Sequence, residues 1–181
     1  MDQKGFGLVQ LLTGIAVIGI LARFASPAFS ELIASQRRQV SADELANGLQ
    51  LARTEAILRQ QDVVMHALEE DWSRGWRIIL DRSGQGHLDP DNPVLVERRS
   101  HGLTPIKGNR WLKQFVRFTA IGSLNPNNST SMGGTLHVCA RDQPVSHHQV
   151  ILAATGRIRL EKREIPEALC ASTGSEQRAN A

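Results

Sequence analysis

An uncharged, largely apolar run near the N-terminus constrains this chain more than any other feature. Asp2 and Lys4 precede it, and no Asp, Glu, Lys or Arg occurs again until Arg23. Such a run just reaches the thickness of a bilayer's hydrocarbon layer and is longer than the apolar part of an ordinary secretory signal. Residues 6–29 are therefore expected to form a transmembrane helix, with Arg23 at or snorkelling to an interface. Ser26-Pro27-Ala28 also offers a small-x-small cleavage site, so a plain signal peptide or signal anchor stays open as a reading. Pro27 lacks a backbone donor, so a kink or local unwinding is expected there.

Beyond Pro27 the pattern becomes amphipathic. Leu45, Leu49, Ala52 and Ala56 recur at helical spacing and define one face, with Arg37, Arg38, Glu44, Arg53 and Arg59 among the polar remainder. Residues 30–61 are read as the continuation of the first helix into a globular domain. From 62 to 165 the chain reads as strands and turns. Strands are expected over 63–68, 76–81, 94–99, 115–119, 135–141, 148–153 and 157–162, the last two joined at Gly156 as a tight hairpin. Residues 105–109 and 125–134 read as loops. Residues 166–181 form a polar, Ala- and Ser-rich tail.

The net charge of +3 and pI near 9.3 say little about partners by themselves. No phosphate-binding glycine loop, nucleophile elbow or paired-carboxylate signature is present, so no catalytic residue, cofactor site or metal site is expected. His147 and His148 are adjacent and would face opposite sides of a strand. His137 and Cys139 make too small a ligand set for zinc. Asp89, Asp91 and Asn92 read as a turn rather than a calcium loop.

Several motifs carry a family resemblance. Lys4-Gly5-Phe6 before the apolar run, followed by Leu8 and Val9, resembles a type IV prepilin signal. The resemblance implies cleavage by prepilin peptidase between Gly5 and Phe6, N-methylation of Phe6, and packing of the helix in a filament core. Gln10 stands where these proteins usually carry glutamate, and it accepts a hydrogen bond without neutralising a neighbouring amine. Leu51-Ala52-Arg53-Thr54-Glu55-Ala56-Ile57, Trp72-Ser73-Arg74-Gly75-Trp76, the stretch from Phe118 to Gly122, Gly134-Thr135 through Cys139, and Gly156-Arg157-Ile158-Arg159 follow in the order found in the FimT/GspH group of minor pilins and pseudopilins. The expected architecture is the α+β pilin fold, a long N-terminal helix packed on an antiparallel β-sheet domain.

That resemblance places residues 1–5 as a leader and the rest outside the cytoplasm, first at the inner membrane and then in a pilus at the cell surface. Other pilins, the peptidase, the inner membrane and DNA are the implied partners. An exported domain permits a Cys139–Cys170 disulfide, with two free thiols as the alternative. In FimT-type minor pilins of naturally transformable bacteria a C-terminal G-R-x-R is associated with DNA binding. Here Arg157 and Arg159 would share a strand face, with Lys162 and Arg163 close by, and guanidinium groups so spaced suit backbone phosphates. The alternatives are a solvated face on a type II secretion pseudopilin without DNA affinity, and a surface-anchored enzyme or sensor. A second basic group, Lys107, Arg110, Lys113 and Arg117, interleaves with Trp111 and Phe115. Those aromatics are read as core residues in preference to base-stacking platforms.

Overall fold

A computed structural model describes residues 7–124, 133–141 and 143–171, with the side chains of residues 18–28 left aside. The leader with its Gly5-Phe6 junction, most of the 125–134 loop and the tail beyond Ala171 lie outside the described residues. The chain divides into two units, Met1–Arg37 and Arg38–Ala181. One helix, α1 (Leu8–Arg59), is assigned across both. It continues through Pro27 without a break in the helix, so the local unwinding expected there does not occur.

In the first unit, Leu8, Val9, Leu11, Leu12, Ile15 and Val17 are exposed. Among the described residues no helix is long and apolar enough to cross a membrane. The expected span of residues 6–29 extends over Phe6 and the side chains of 18–28, which lie outside the described residues.

In the second unit α1 supplies Ala42, Leu45, Leu49, Ala52 and Ala56 to the core, each at most 1% exposed. Their three–four spacing is the face read from the sequence, extended one turn towards the N-terminus. The helix ends because Gln60 turns left-handed (φ 53°). The Gln61 N–H then reaches the Ala56 carbonyl and the Gln60 N–H the Ile57 carbonyl, both at 3.3 Å. These paired bonds satisfy carbonyls that a helix end otherwise leaves open.

The strands are β1 (Val63–Ala67), β2 (Gly75–Leu80), β3 (Val94–Arg99), β4 (Ile106–Gly108), β5 (Phe115–Phe118), β6 (Gly134–Cys139), β7 (Val145–Leu152) and β8 (Ile158–Pro166). They form two four-stranded antiparallel sheets, ordered β3-β2-β1-β5 and β4-β6-β7-β8. Val63, Met65 and Ile78 from the first sheet and Leu136, Val138, Val150 and Leu152 from the second join the α1 face in one core. Burying each such side chain contributes about 1.5–3 kcal/mol. The hydrophobic effect therefore holds both sheets to the helix.

The Trp72-to-Trp76 motif works within this core. The Trp72 indole N–H donates to the Leu112 carbonyl at 2.9 Å, tying β2's approach to the loop before β5. Trp76 packs over Gly48 of α1, where an added Cβ would sit 2.7 Å from the indole ring. A short helix, α2 (Ala168–Ala171), follows β8. Cys170 on it is bonded to Cys139 at the end of β6, with Cα atoms 5.6 Å apart. His137 meets Glu167 at 3.4 Å beside that bridge. Burial holds the His137 imidazole below its ordinary pKa, and Glu167 partly opposes the shift.

Candidate nucleic-acid interface

The β7–β8 hairpin turns at Gly156, whose φ is +78°. Its position also lacks room for a side chain, because a Cβ there would collide with the Gly122 carbonyl oxygen. Gly122 belongs to the turn between Thr119 and Leu124, closed by Gly122 N–H to Thr119 O at 2.7 Å and Thr119 N–H to Ser123 O at 2.8 Å. Leu124 N–H donates to Ala154 O at 3.0 Å, stitching the turn to the hairpin. From α1, Arg53 Nε donates to Gly122 O at 2.9 Å. Three of the sequence motifs therefore meet at one knot: Arg53 of the helix-end motif, Gly122 after Phe118, and Gly156 of the G-R-x-R.

Arg157 is exposed and has no ion pair among the described residues. Its carbonyl accepts from Ala153 N–H at 2.9 Å, which carries the hairpin ladder one step beyond the first residue of β8. Arg159 lies opposite Ile151 and is also exposed, but its guanidinium pairs with Glu161 at 2.8 Å. Half-buried Ile158 and Leu160 alternate with them and pack on the core, so Arg157 and Arg159 share the outward face.

The other two basic residues do not complete that face. Lys162 is opposite His148, a residue only 2% exposed, and so lies on the other side of the strand. Burial holds the His148 imidazole below its ordinary pKa, and the Lys162 charge adds to this. Arg163 sits where the register shifts: the partners Lys162↔His148 and Ile165↔Ser146 leave Arg163 and Glu164 against His147 alone. This is a bulge, and Gln149 Nε2 donates to the Arg163 carbonyl at 2.9 Å across it. The expected basic group of four is thus two arginines on one face, a lysine on the other and an arginine in a bulge.

The second basic group is dispersed. Arg117 is buried, pairs with Asp81 at 2.8 Å and donates to the Gly84 carbonyl at 3.0 Å. Its role is to hold the loop after β2. Phe115 packs against the His87 ring, with centroids 5.0 Å apart. Half-buried Trp111 carries Arg110 over its face at 5.2 Å. Lys107, Arg110 and Lys113 line a cleft of about 650 Å³ whose other lining residues include Glu69, Glu70 and Asp71. Those carboxylates offset the positive field, so the cleft is a poor phosphate site. Asn92 of the Asp89–Asp91 region is buried and bonds the Gly86 carbonyl at 2.9 Å, as a turn residue does.

Sequence reading missed the brace from Arg53 to Gly122 and the Asp81–Arg117 pair. Each joins residues far apart in the chain, and local patterns do not report such contacts. It also missed β4, only three residues between Pro105 and Asn109, too short for alternation to show.

Comparison with known proteins matches this geometry. Residues 41–156 fit the family model for type II transport protein GspH. The solved type IV minor pilin FimU of Pseudomonas aeruginosa superposes with TM-score 0.58 at 24% identity, over 75% of this chain and 96% of that one. A second crystal form of FimU gives TM-score 0.56 at 25% identity, over 73% and 98%. A fimbrial protein of Moraxella nonliquefaciens is 40% identical over 97 residues, 52% of this chain and 60% of that protein. The type IV major fimbrial protein FimA of Dichelobacter nodosus is 52% identical over 50 residues, 27% of this chain and 30% of that protein. The matches thus cover less than two thirds of either fimbrial relative. A helix running into a two-sheet antiparallel domain, knotted at Arg53, Gly122 and Gly156, is a type IV pilin fold, and the chain belongs to the GspH family.

Proposed function

We propose that this chain is a minor pilin of a type IV pilus, a structural and binding subunit rather than an enzyme, which contacts extracellular DNA for uptake through its β7–β8 hairpin. The observation that carries the DNA reading is the outward pair Arg157 and Arg159, exposed on one face at the end of the domain. Adjacent same-face residues on a strand stand about 7 Å apart, which suits successive phosphates. Such contacts bind all sequences alike and release counterions. With Lys162 turned away, the log–log salt slope on duplex DNA should be no steeper than about −3. Changing Arg157 and Arg159 to Gln should weaken binding several-fold and flatten the slope by about 2 units. Titrations of labelled duplex at several salt concentrations read both quantities.

A second reading has its own support. The glycine of the G-R-x-R is required by the Gly122 contact whatever the hairpin binds, so that part of the motif carries no information about a ligand. A GspH-type pseudopilin without DNA affinity fits this equally. Wild type that fails to bind DNA at low salt would decide for it.

The same proposal includes N-terminal processing. The peptidase would cut between Gly5 and Phe6 and Phe6 would be methylated. The exposed apolar residues of α1 would then be covered by the inner membrane and later by neighbouring pilins. Intact mass of the chain from peptidase-competent cells should show loss of residues 1–5; a chain still starting at Met1 would refute this.

A further inference from the structure

The turn that abuts the hairpin tip carries an exposed apolar side chain, that of Ile121. Among the described residues outside the first helix, Ile121 is the most exposed large hydrophobic residue, at 80%. It immediately precedes Gly122, the glycine in contact with Gly156, and Arg157 immediately follows Gly156. Ile121 and Arg157 are therefore each one residue away from a direct backbone contact. The support beneath them is stiff. Arg53 holds Gly122 O at 2.9 Å and Leu124 N–H holds Ala154 O at 3.0 Å. Ile57 of α1 lies under the turn, its Cδ1 only 2.6 Å from where a Gly122 Cβ would be.

From this juxtaposition we propose that Ile121 is a base-contacting residue for single-stranded DNA, set beside the phosphate-contacting Arg157. The inference rests on the DNA reading above and adds a ligand class to it. An exposed β-branched side chain on a braced turn loses little freedom on contact. Nucleobases in a single strand present apolar faces next to their phosphates, and a duplex stacks those faces away. An apolar prong and a cation held on one rigid tip match that pairing of surfaces, whereas a phosphate track alone leaves the prong in water. Arg53 acts as a positioning residue, because its bond fixes the turn that carries Ile121.

The test separates bases from phosphates. Full-length wild type and Ile121→Ser are titrated with fluorescein-labelled oligothymidine and with an abasic oligonucleotide of the same length. Wild type should bind oligothymidine about five- to tenfold more tightly than the abasic strand. Ile121→Ser should erase that difference and leave the salt slope unchanged, since an apolar contact releases no counterions. The substitution is on the surface, and an unchanged melting curve shows that the fold is intact. If wild type binds but does not distinguish the two strands, or Ile121→Ser matches wild type on both, the Ile121 inference fails while DNA binding stands. If Ile121→Ser instead changes only self-association in sedimentation, Ile121 belongs to a protein contact and the inference also fails. Wild type binding neither strand overturns the DNA reading and this inference together.

Discussion

Gly156→Val is expected to lower the stability of the folded domain by about 3 kcal/mol or more, combining a left-handed backbone with overpacking against a neighbouring carbonyl. The Gly156 φ of +78° is one that β-branched residues avoid. The new Cβ would also meet the Gly122 carbonyl oxygen and approach Arg53 Nε to 3.0 Å. Relief requires the hairpin tip to lift from the turn, which breaks the bonds from Leu124 to Ala154 and from Arg53 to Gly122. Thermal unfolding followed by circular dichroism measures the effect. A midpoint matching wild type would show that the knot does not hold the tip. Arg157→Gln, one residue later, points into solvent and should leave the midpoint within error. The contrast separates the structural half of the G-R-x-R from the half available to a ligand.

Asp81→Ala should be comparably damaging for an electrostatic reason. The Asp81 side chain is fully buried and that of Arg117 is 10% exposed, with 2.8 Å between them. Asp81 also accepts from Gly86 N–H at 3.0 Å and from the Asn92 amide at 3.4 Å. Its removal leaves a guanidinium charge and these donors in the interior without their acceptor. Breaking a buried pair from one side costs about 3–5 kcal/mol. Replacing both partners is far milder, so Asp81→Ala with Arg117→Met should recover much of the loss. Denaturant unfolding of the two single variants and the double variant tests this. A double variant as unstable as Asp81→Ala alone would show that the stranded charge is not the cause.

The two predictions differ in how far the sequence announces them. Gly156 between strand patterns marks a turn, and the helical face of Leu45, Leu49, Ala52 and Ala56 is plain from spacing alone. Most strands are legible because alternation and β-branched residues are local signals. The division into two sheets is not legible, since strand neighbours are set by packing over α1 and no short segment records it. The grouping of Arg157, Arg159, Lys162 and Arg163 shows the same limit. Alternation correctly pairs Arg157 with Arg159. The side taken by Lys162 depends on its partner His148, and the position of Arg163 on a bulge that only the register with β7 reveals. Arg117 reads as a surface cation until Asp81 is brought to it by the pairing of β1 with its neighbours.

The bulge in β8 has a consequence for chains held side by side. Among the described residues β8 is the outer strand of its sheet, nine residues long, and an open edge of that length is a template for another chain's strand. Here the ladder is interrupted at Arg163 and Glu164, charged side chains crowd the same stretch, and Pro166 removes a donor at its end. An incoming strand would meet a broken register and have to desolvate those charges. The irregularity that spoils the basic cluster as one continuous face therefore also makes this edge a poor template for edge-to-edge aggregation.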